Sequence, residues 1–435
     1  MNKSNSLVIK NVHLVTMTDH KIKKNKTVII DNGIIRSIND SNIDTTRYKN
    51  VMDGKGKYLM PGLINMHTHL GDNPDDLTLY LVNGVTTIRN MWGYGGFKLK
   101  HWLFGIRVFN HLELKRKINK GDIIGPRIFT AGPLLDGEKP FLPKFMPLRS
   151  LKNTDIVEDI IKEQVAKGYD FIKIYHMLSM QNFQEIIKAA EKHHIPVAGH
   201  VPDAVGIKKV LESNVRSIEH LYGFINPYHP ESNVKEDNIQ AMASLAAKTG
   251  TWNCPTLVAH ERLANVKRQE EFEHEHQMNY VSKRNKKAMR FLIKKSNELY
   301  VKKNVKGNHD YMDKLYHIIQ VLKEEGAGIL LGTDKAVPYV VAGFSEHLEM
   351  KLLMDAGLSN YEAIQAATIN AATCLNQEKE IGTIEIGKKA DLILTHDNPL
   401  SDIHTIFNHM GVIKNGKFYS RETCDALLKG IKKPL

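Results

Sequence analysis

The stretch Pro61-Gly62-Leu63-Ile64-Asn65-Met66-His67-Thr68-His69 is an apolar run that ends in two histidines one residue apart. On a β-strand, residues i and i+2 project to the same face, so His67 and His69 stand side by side at the strand's C-terminal end. Two imidazoles placed this way can share a divalent ion. Two surface histidines opening a loop would look the same in isolation, because 21 histidines make accidental pairs common. What stands at the ends of the other apolar runs decides between these readings.

The run from Leu59 to Leu70 is followed by seven more: Gly84 to Met91, Pro126 to Leu135, Phe171 to His176, Pro196 to Val201, Ser217 to Tyr222, Thr251 to Leu257 and Gly328 to Asp334. Helix-like stretches such as Val157 to Lys167 and Phe183 to His193 separate them. Strands alternating with helices imply a parallel sheet with crossovers. Eight such units predict an α/β protein with a (β/α)8 TIM-type barrel, whose strand C-termini form the active face. Both ends of the chain are instead β-rich. Thr27-Val28-Ile29-Ile30 and Ile34-Ile35-Arg36-Ser37-Ile38 flank the turn Asp31-Asn32-Gly33, and Asn415-Gly416-Lys417 follows Val412-Ile413-Lys414. The expected organisation is a barrel over 58–375 and a small β-sandwich-like domain built from 1–57 and 376–435. Two charged insertions, 93–125 and 261–306, interrupt the barrel pattern after its second and seventh strands.

The predicted strand ends carry chemistry. The fifth ends Ala198-Gly199-His200, the sixth Ile218-Glu219-His220 and the eighth Gly332-Thr333-Asp334. The fourth holds Lys173 between Ile172 and Ile174. A lysine in an apolar strand either snorkels from an edge or, if buried, needs a partner or a lowered pKa. Four histidines, an aspartate and a lysine at predicted parallel-strand ends read as a metal site.

With these residues the chain resembles the amidohydrolase superfamily of metal-dependent hydrolases. The matching residues run from Pro61-Gly62-Leu63-Ile64 through Gly332-Thr333-Asp334 and Ala366-Ala367-Thr368-Ile369-Asn370-Ala371-Ala372 to Gly382-Thr383-Ile384-Glu385-Ile386-Gly387-Lys388-Lys389-Ala390-Asp391-Leu392-Ile393. Asp170-Phe171-Ile172-Lys173-Ile174-Tyr175, Gly199-His200-Val201-Pro202 and Ser217-Ile218-Glu219-His220-Leu221 are most similar to its imidazolonepropionase-like and prolidase-like branch. The resemblance implies two divalent metal ions, zinc being the expected one. His67, His69 and Asp334 would hold the more buried ion, and His200 and His220 the second. Lys173, as N6-carboxylysine, would bridge them. An apolar strand favours the neutral amine that adds CO2, and two cations favour the resulting anion. An unmodified lysine would repel metal and leave a mononuclear site. The ions would activate water and polarise a carbonyl, with Asp334 as proton shuttle to the leaving nitrogen.

Tyr175 shares the face of Lys173, and Tyr222 that of His220; either phenol is a substrate donor or a rim-packing aromatic. Arg89, ending the second strand, is a candidate for binding a substrate carboxylate, with a structural ion pair as the alternative. Asn90-Met91-Trp92 and Lys335 depart from the branch pattern, which expects an acidic residue or small residues there, and they leave the substrate open. Glu273-His274-Glu275-His276 contains another HxH, but on a charged helix-like stretch i and i+2 do not share a face. His193-His194 reads as an exposed helix end, Lys115-Arg116-Lys117 as a solvated run and Cys254 as a small buried hydrophobe.

Composition sets the outer limits. The 435 residues are 42% hydrophobic and 25% charged, which excludes a disordered, collagen-like or coiled-coil chain. No apolar run approaches the ~18 residues of a membrane span, the first residues lack a signal-peptide pattern, and three scattered cysteines are too few for a disulfide framework. A cytoplasmic protein without a membrane partner is expected, and a homo-oligomer is compatible. Sixty Lys and Arg against 48 Asp and Glu leave a charge of +12. No nucleic-acid module accompanies that charge, so no nucleic-acid partner is expected, and a small-molecule substrate, anionic in type, is favoured. The expected reaction is hydrolysis of an amide-type C–N bond in an N-acyl amino acid, a dipeptide such as Xaa-Pro or a cyclic amide. The alternatives are a mononuclear imidazolonepropionase or deaminase-type ring hydrolase, a phosphotriester or lactone hydrolase and, more distantly, a non-catalytic or nucleic-acid-binding barrel.

Overall fold

The computed structural model describes residues 6–41, 43–71, 73–93, 110–142, 146–226, 233–265, 268–302 and 308–432. Of the two insertions, 94–109, 266–267 and 303–306 lie outside the described residues. The chain opens with β1 (Ser6–Val15), β2 (Ile22–Asp31), β3 (Ile34–Asp40), β4 (Asn50–Asp53) and β5 (Tyr58–Pro61). Asp31 pairs with Ile34, which leaves Asn32 and Gly33 as a two-residue turn with φ of 50° and 75°. Positive φ at both positions is the type I′ turn that Asn-Gly accommodates.

The parallel strands come next: β6 (Leu63–Thr68), β7 (Val85–Asn90), β8 (Arg127–Thr130), β9 (Leu134–Gly137), β10 (Leu148–Leu151), β11 (Ile172–Ile174), β12 (Val197–Gly199), β13 (Ser217–Glu219) and β14 (Trp252–Cys254). β6-β7-β8 form one sheet and β10-β9-β11-β12-β13-β14 another. Two seams join them. Ala131 bridges Phe171 in parallel, and Asp170 donates its N–H to the Thr130 carbonyl at 2.9 Å. Across the other seam the segment 328–334 sits between β14 and β6: Leu330 N–H donates to Asn253 O at 2.8 Å, Met66 N–H to Leu331 O at 2.8 Å and Thr333 N–H to His67 O at 3.0 Å. The result is the expected barrel architecture.

The helices form as their sequences direct. Met180–Lys192 buries Phe183, Ile186, Ala189 and Ala190 on one face, and the Ser179 hydroxyl caps it by accepting from the Asn182 N–H. Val157–Lys167 ends at Gly168 with φ 85°, the left-handed residue that stops a helix.

The run Pro126 to Leu135 proves to be two strands. A Cβ on Gly132 would lie 2.3 Å from Gln164, and Pro133 has no N–H to continue the ladder. β9 therefore leaves β8, pairs with β10 and meets β11 only at Leu135 and Ile174. The seventh run is cut short as well: Thr256 turns at φ 51°, and Leu257 begins the helix Leu257–Ala264.

β15 (Leu392–Thr395), β16 (Gly411–Lys414) and β17 (Lys417–Ser420) return to the first five strands. All eight make one sheet, ordered β17-β16-β15-β5-β1-β2-β3 with β4 on β1. It curls over a core of Ile9, Leu14, Val28, Ile35, Leu394 and Ile413. A Cβ on Gly33 would lie 2.9 Å from Asn415 O, so the two Asn-Gly turns pack directly on each other. Pro61-Gly62-Leu63 joins this sheet to the barrel. Pro61 pairs with Leu392, and Gly62 is followed at once by β6. A side chain on Gly62 would strike Thr86 at 2.3 Å. Among the described residues no helix is long and apolar enough to cross a membrane.

Candidate metal centre

Four histidines, Lys173 and Asp334 converge at the C-terminal ends of β6, β11, β12 and β13 and of the segment 328–334. His67 and His220 rings lie 4.4 Å apart, His67 and His69 5.3 Å, and His200 and His220 4.9 Å. Asp334 Oδ1 is 3.3 Å from His69 Nε2 and 3.8 Å from His67 Nε2, and its Oδ2 is 3.9 Å from His220 Nε2. His67, His220 and Asp334 bring one ligand atom each within 4.8 Å of one another. His220 and Asp334 both stand in the left-handed region, at φ 61° and 50°. Backbone of that kind persists only where surrounding contacts hold it.

The donor atoms are left without partners in a way that suits a cation. Among the described residues His67 Nε2, His69 Nδ1, Lys173 Nζ and Asp334 Oδ1 are buried with no hydrogen bond. Such atoms are costly unless something else satisfies them. Burial, with the charge of Lys173, takes the His67 imidazole down to about 4, and burial likewise holds His200 and His220 well below the usual range. Neutral imidazoles are the form that ligates metal. Burial also takes the Lys173 amine down to about 8, far closer to a reactive neutral amine than an exposed lysine. Burial alone would raise the Asp334 carboxyl, but the His69 contact and the neighbouring imidazoles draw it well below the usual carboxylate range.

His67 and His220 are held from behind. His67 Nδ1–H donates to Glu219 Oε2 at 2.7 Å, which leaves the Nε2 lone pair facing Asp334. Glu219 Oε1 accepts from Arg89 Nη2 at 2.7 Å and from Ser217 Oγ at 2.6 Å. His220 Nδ1 meets Thr256 Oγ1 at 2.7 Å. Thr256 precedes the helix Leu257–Ala264 yet does not cap it. Glu349 caps that helix instead, accepting from Leu257 N–H at 2.9 Å and Val258 N–H at 2.7 Å. His260 Nε2–H donates to the His220 carbonyl at 3.2 Å and accepts at Nδ1 from the Tyr311 hydroxyl at 3.0 Å, bracing the left-handed turn. Asn65 accepts from His67 N–H at 2.9 Å and donates to Thr333 Oγ1 at 2.8 Å, tying β6, which carries His67, to the segment that carries Asp334.

Arg89 is placed differently from the expected carboxylate binder. It is 2% exposed, and its three nitrogens donate to Glu219, to Ser217 Oγ at 2.9 Å and to the Met66 carbonyl at 2.6 Å. All of β7 is buried inside the barrel, so the guanidinium neutralises Glu219 and is withdrawn from any substrate. Arg89→Met is expected to cost about 3–5 kcal/mol, because it strands the Glu219 carboxylate without a counter-charge. Calorimetry comparing the variant with wild type checks this, and an unchanged melting temperature would contradict the assignment.

Tyr175 and Tyr222 do reach the site: the Tyr175 ring is 4.0 Å from His200, and Tyr222 is 4.9 Å from both His200 and His220. Trp92 packs its ring 4.2 Å from His69 and donates Nε1–H to Leu70 O at 3.3 Å. Asn90 accepts from Leu70 N–H at 2.9 Å, and Lys335 pairs with buried Asp76. The departures from the branch pattern thus have local structural partners. In 273–276 the acids hold the structure: Glu273 takes Arg290 at 2.9 and 2.7 Å and Tyr339 at 3.0 Å, and Glu275 takes buried Arg262 at 2.8 and 2.7 Å. In the 115–117 run, Lys115 reaches Asp170 at 2.6 Å and so is paired rather than merely solvated. Cys254, like the other two cysteines, is free and buried, and burial pushes its thiol well up.

Glu219, His176, Thr256 and His260 have no role in the sequence reading. Glu219 had a signal, an acid inside an apolar strand beside His220. His176 had none: strand alternation puts it on the face opposite Tyr175, and the strand ends at Ile174.

Comparisons with known proteins bear on the fold and the family. The chain is 24% identical over 420 residues to the 5-methylthioadenosine/S-adenosylhomocysteine deaminase of Thermoanaerobacter pseudethanolicus, covering 89% of this chain and 85% of the relative. Among solved structures, a bottromycin amidohydrolase superposes with a TM-score of 0.77 at 23% identity, covering 99% of this chain and 90% of its own. A Xaa-Pro dipeptidase, solved with methionine bound in its active site, superposes with a TM-score of 0.71 at 22% identity, covering 95% and 100%. The family model described as "Amidohydrolase family" matches residues 58–418, the barrel together with β5, β15 and β16 of the terminal sheet. The chain therefore belongs to the amidohydrolase family and is a hydrolase of the class that acts on carbon–nitrogen bonds.

Proposed function

We propose that this chain hydrolyses an amide-type C–N bond in a small substrate: an N-acyl amino acid, a dipeptide such as Xaa-Pro, or a cyclic amide. The observation that carries this reading is the convergence of four histidines, Lys173 and Asp334, with buried unpartnered donor atoms, on the strand ends of the barrel. His67, His69 and Asp334 would hold one divalent ion, His200 and His220 a second, and a carboxylated Lys173 would bridge them. Zinc suits the nitrogen-rich donor set. The bound ions supply Lewis acidity toward a water and a substrate carbonyl. The chain supplies the rest. Asp334, ionised at neutral pH and beside His69, would take a proton from the attacking water and return it to the leaving nitrogen. Tyr175 and Tyr222, whose rings lie against His200 and His220, would orient a carbonyl or carboxylate. The chain's positive charge favours approach of a carboxylate-bearing substrate.

A mononuclear deaminase-type reaction has its own support. Among the described residues His67, His220 and Asp334 cluster within ligand distance, enough for a single ion, and a deaminase is among the similar proteins. Metal analysis joined to a screen of N-acyl amino acids, dipeptides and aminopurines separates the two. Two ions per chain with turnover of an amide supports the first reading. One ion with ammonia release from an aminopurine overturns it.

A further inference from the structure

His176 is a fifth histidine at the centre. It is 1% exposed, and its Nε2 lies 2.9 Å from His200 Nδ1. Its ring is enclosed by Phe141, Tyr175 and Tyr222, each with its centroid 5.0 Å away. The backbone on either side is fixed: Met177 N–H donates to Asp136 Oδ1 at 2.7 Å, and Asp203 N–H donates to the His176 carbonyl at 3.1 Å. The carboxylate that holds Met177 also accepts from Phe141 N–H at 2.8 Å, so one buried group sets both the imidazole and a wall of its enclosure.

A neutral imidazole ligates metal through one nitrogen only, and its other nitrogen carries a proton that an outer acceptor can hold in place. His67 meets this condition through Glu219, and His220 has Thr256 at its Nδ1. For His200 the group at Nδ1 is His176. A contact between two neutral imidazoles has a direction. If His176 donates, the proton of His200 moves to Nε2, and its site-facing nitrogen has no lone pair. If His176 accepts, His200 Nε2 is free to ligate. We infer that His176 is a positioning residue that accepts from His200 Nδ1–H and so fixes the tautomer and ring orientation in which His200 holds the second ion. The inference rests on the proposed role of His200 as a ligand.

The test uses the metal-loaded full chain in two measurements. Long-range proton–nitrogen NMR with labelled histidine, the His200 signals identified by their absence from His200→Ala, is expected to place the His200 proton on Nδ1. A proton on Nε2 overturns the inference whatever the metal count. Chelator competition then compares His176→Phe, which keeps the aromatic packing but removes the acceptor, with His176→Gln, whose Oε1 can replace Nε2. His176→Phe is expected to weaken the more labile ion 10–100-fold, as loss of an outer hydrogen-bond partner does, and His176→Gln to recover most of that affinity. Unchanged affinity in His176→Phe, or equal loss in both variants, overturns the positioning role. A wild-type chain holding one ion counts against the two-ion reading and leaves the NMR result to decide the role of His176.

Discussion

Asp334→Asn is expected to lower kcat/KM by about 10³–10⁴-fold while leaving the fold and most of the bound metal in place. The magnitude is that of losing a positioned acid–base group. The substitution suits this position for a reason specific to the backbone. Asp334 sits at φ 50°, where only glycine, asparagine and aspartate are at ease, so asparagine keeps the turn that alanine would strain. The amide oxygen still accepts from neighbouring groups, and the Asp334 N–H still donates to the His67 carbonyl at 2.8 Å. What is lost is the negative charge and the ability to take up a proton. Rate and metal content are to be measured on the same preparation. A variant with near-normal turnover would remove Asp334 from the shuttle role. A variant that loses both metal and turnover would make it a ligand above all.

The local parts of this centre are legible in the sequence, and the long-range parts are not. His67 and His69 follow from strand alternation, and the two Asn-Gly turns follow from the left-handed backbone they demand. The barrel follows from the alternation of apolar runs with helix patterns, although the run Pro126 to Leu135 divides because Gly132 packs against Gln164. Arg89 shows where such reasoning stops. A cation at a strand end reads first as a structural partner and second as a substrate anchor, and the position of Glu219, 130 residues away, decides. The contact between His176 and His200 spans 24 residues and two strands and depends on side-chain direction, which no period encodes. The eighth barrel segment is legible by its Gly332-Thr333-Asp334 ending, yet it forms no regular strand, because its carbonyls and amides divide between β14, β6 and the chain at Ala366.

Lys173→Ala is expected to lower bound metal from two ions per chain to one or none. The argument turns on the sign of the charge that this side chain contributes. Lys173 is 1% exposed, and its Nζ has no hydrogen-bond partner among the described residues. As an ammonium it would repel any cation held by His67, His200 and His220, so its removal would strengthen metal binding. As a carbamate it is an anion with two oxygen ligands: the neutral amine adds CO2, the N–C bond forms, and one proton leaves to solvent. Its removal then abolishes a bridge. The two states predict opposite changes in affinity. Burial, which takes the amine down to about 8, makes the carbamate accessible at neutral pH. Lys173→Met controls for packing, because it fills most of the volume that alanine leaves empty, and loss of metal in both variants points to the missing anion rather than to a cavity. Added propionate can enter the alanine variant and replace the missing carboxylate, and partial recovery of the second ion is the expected result. Retention of two ions in either variant, or tighter binding than wild type, would exclude Lys173 as the bridge.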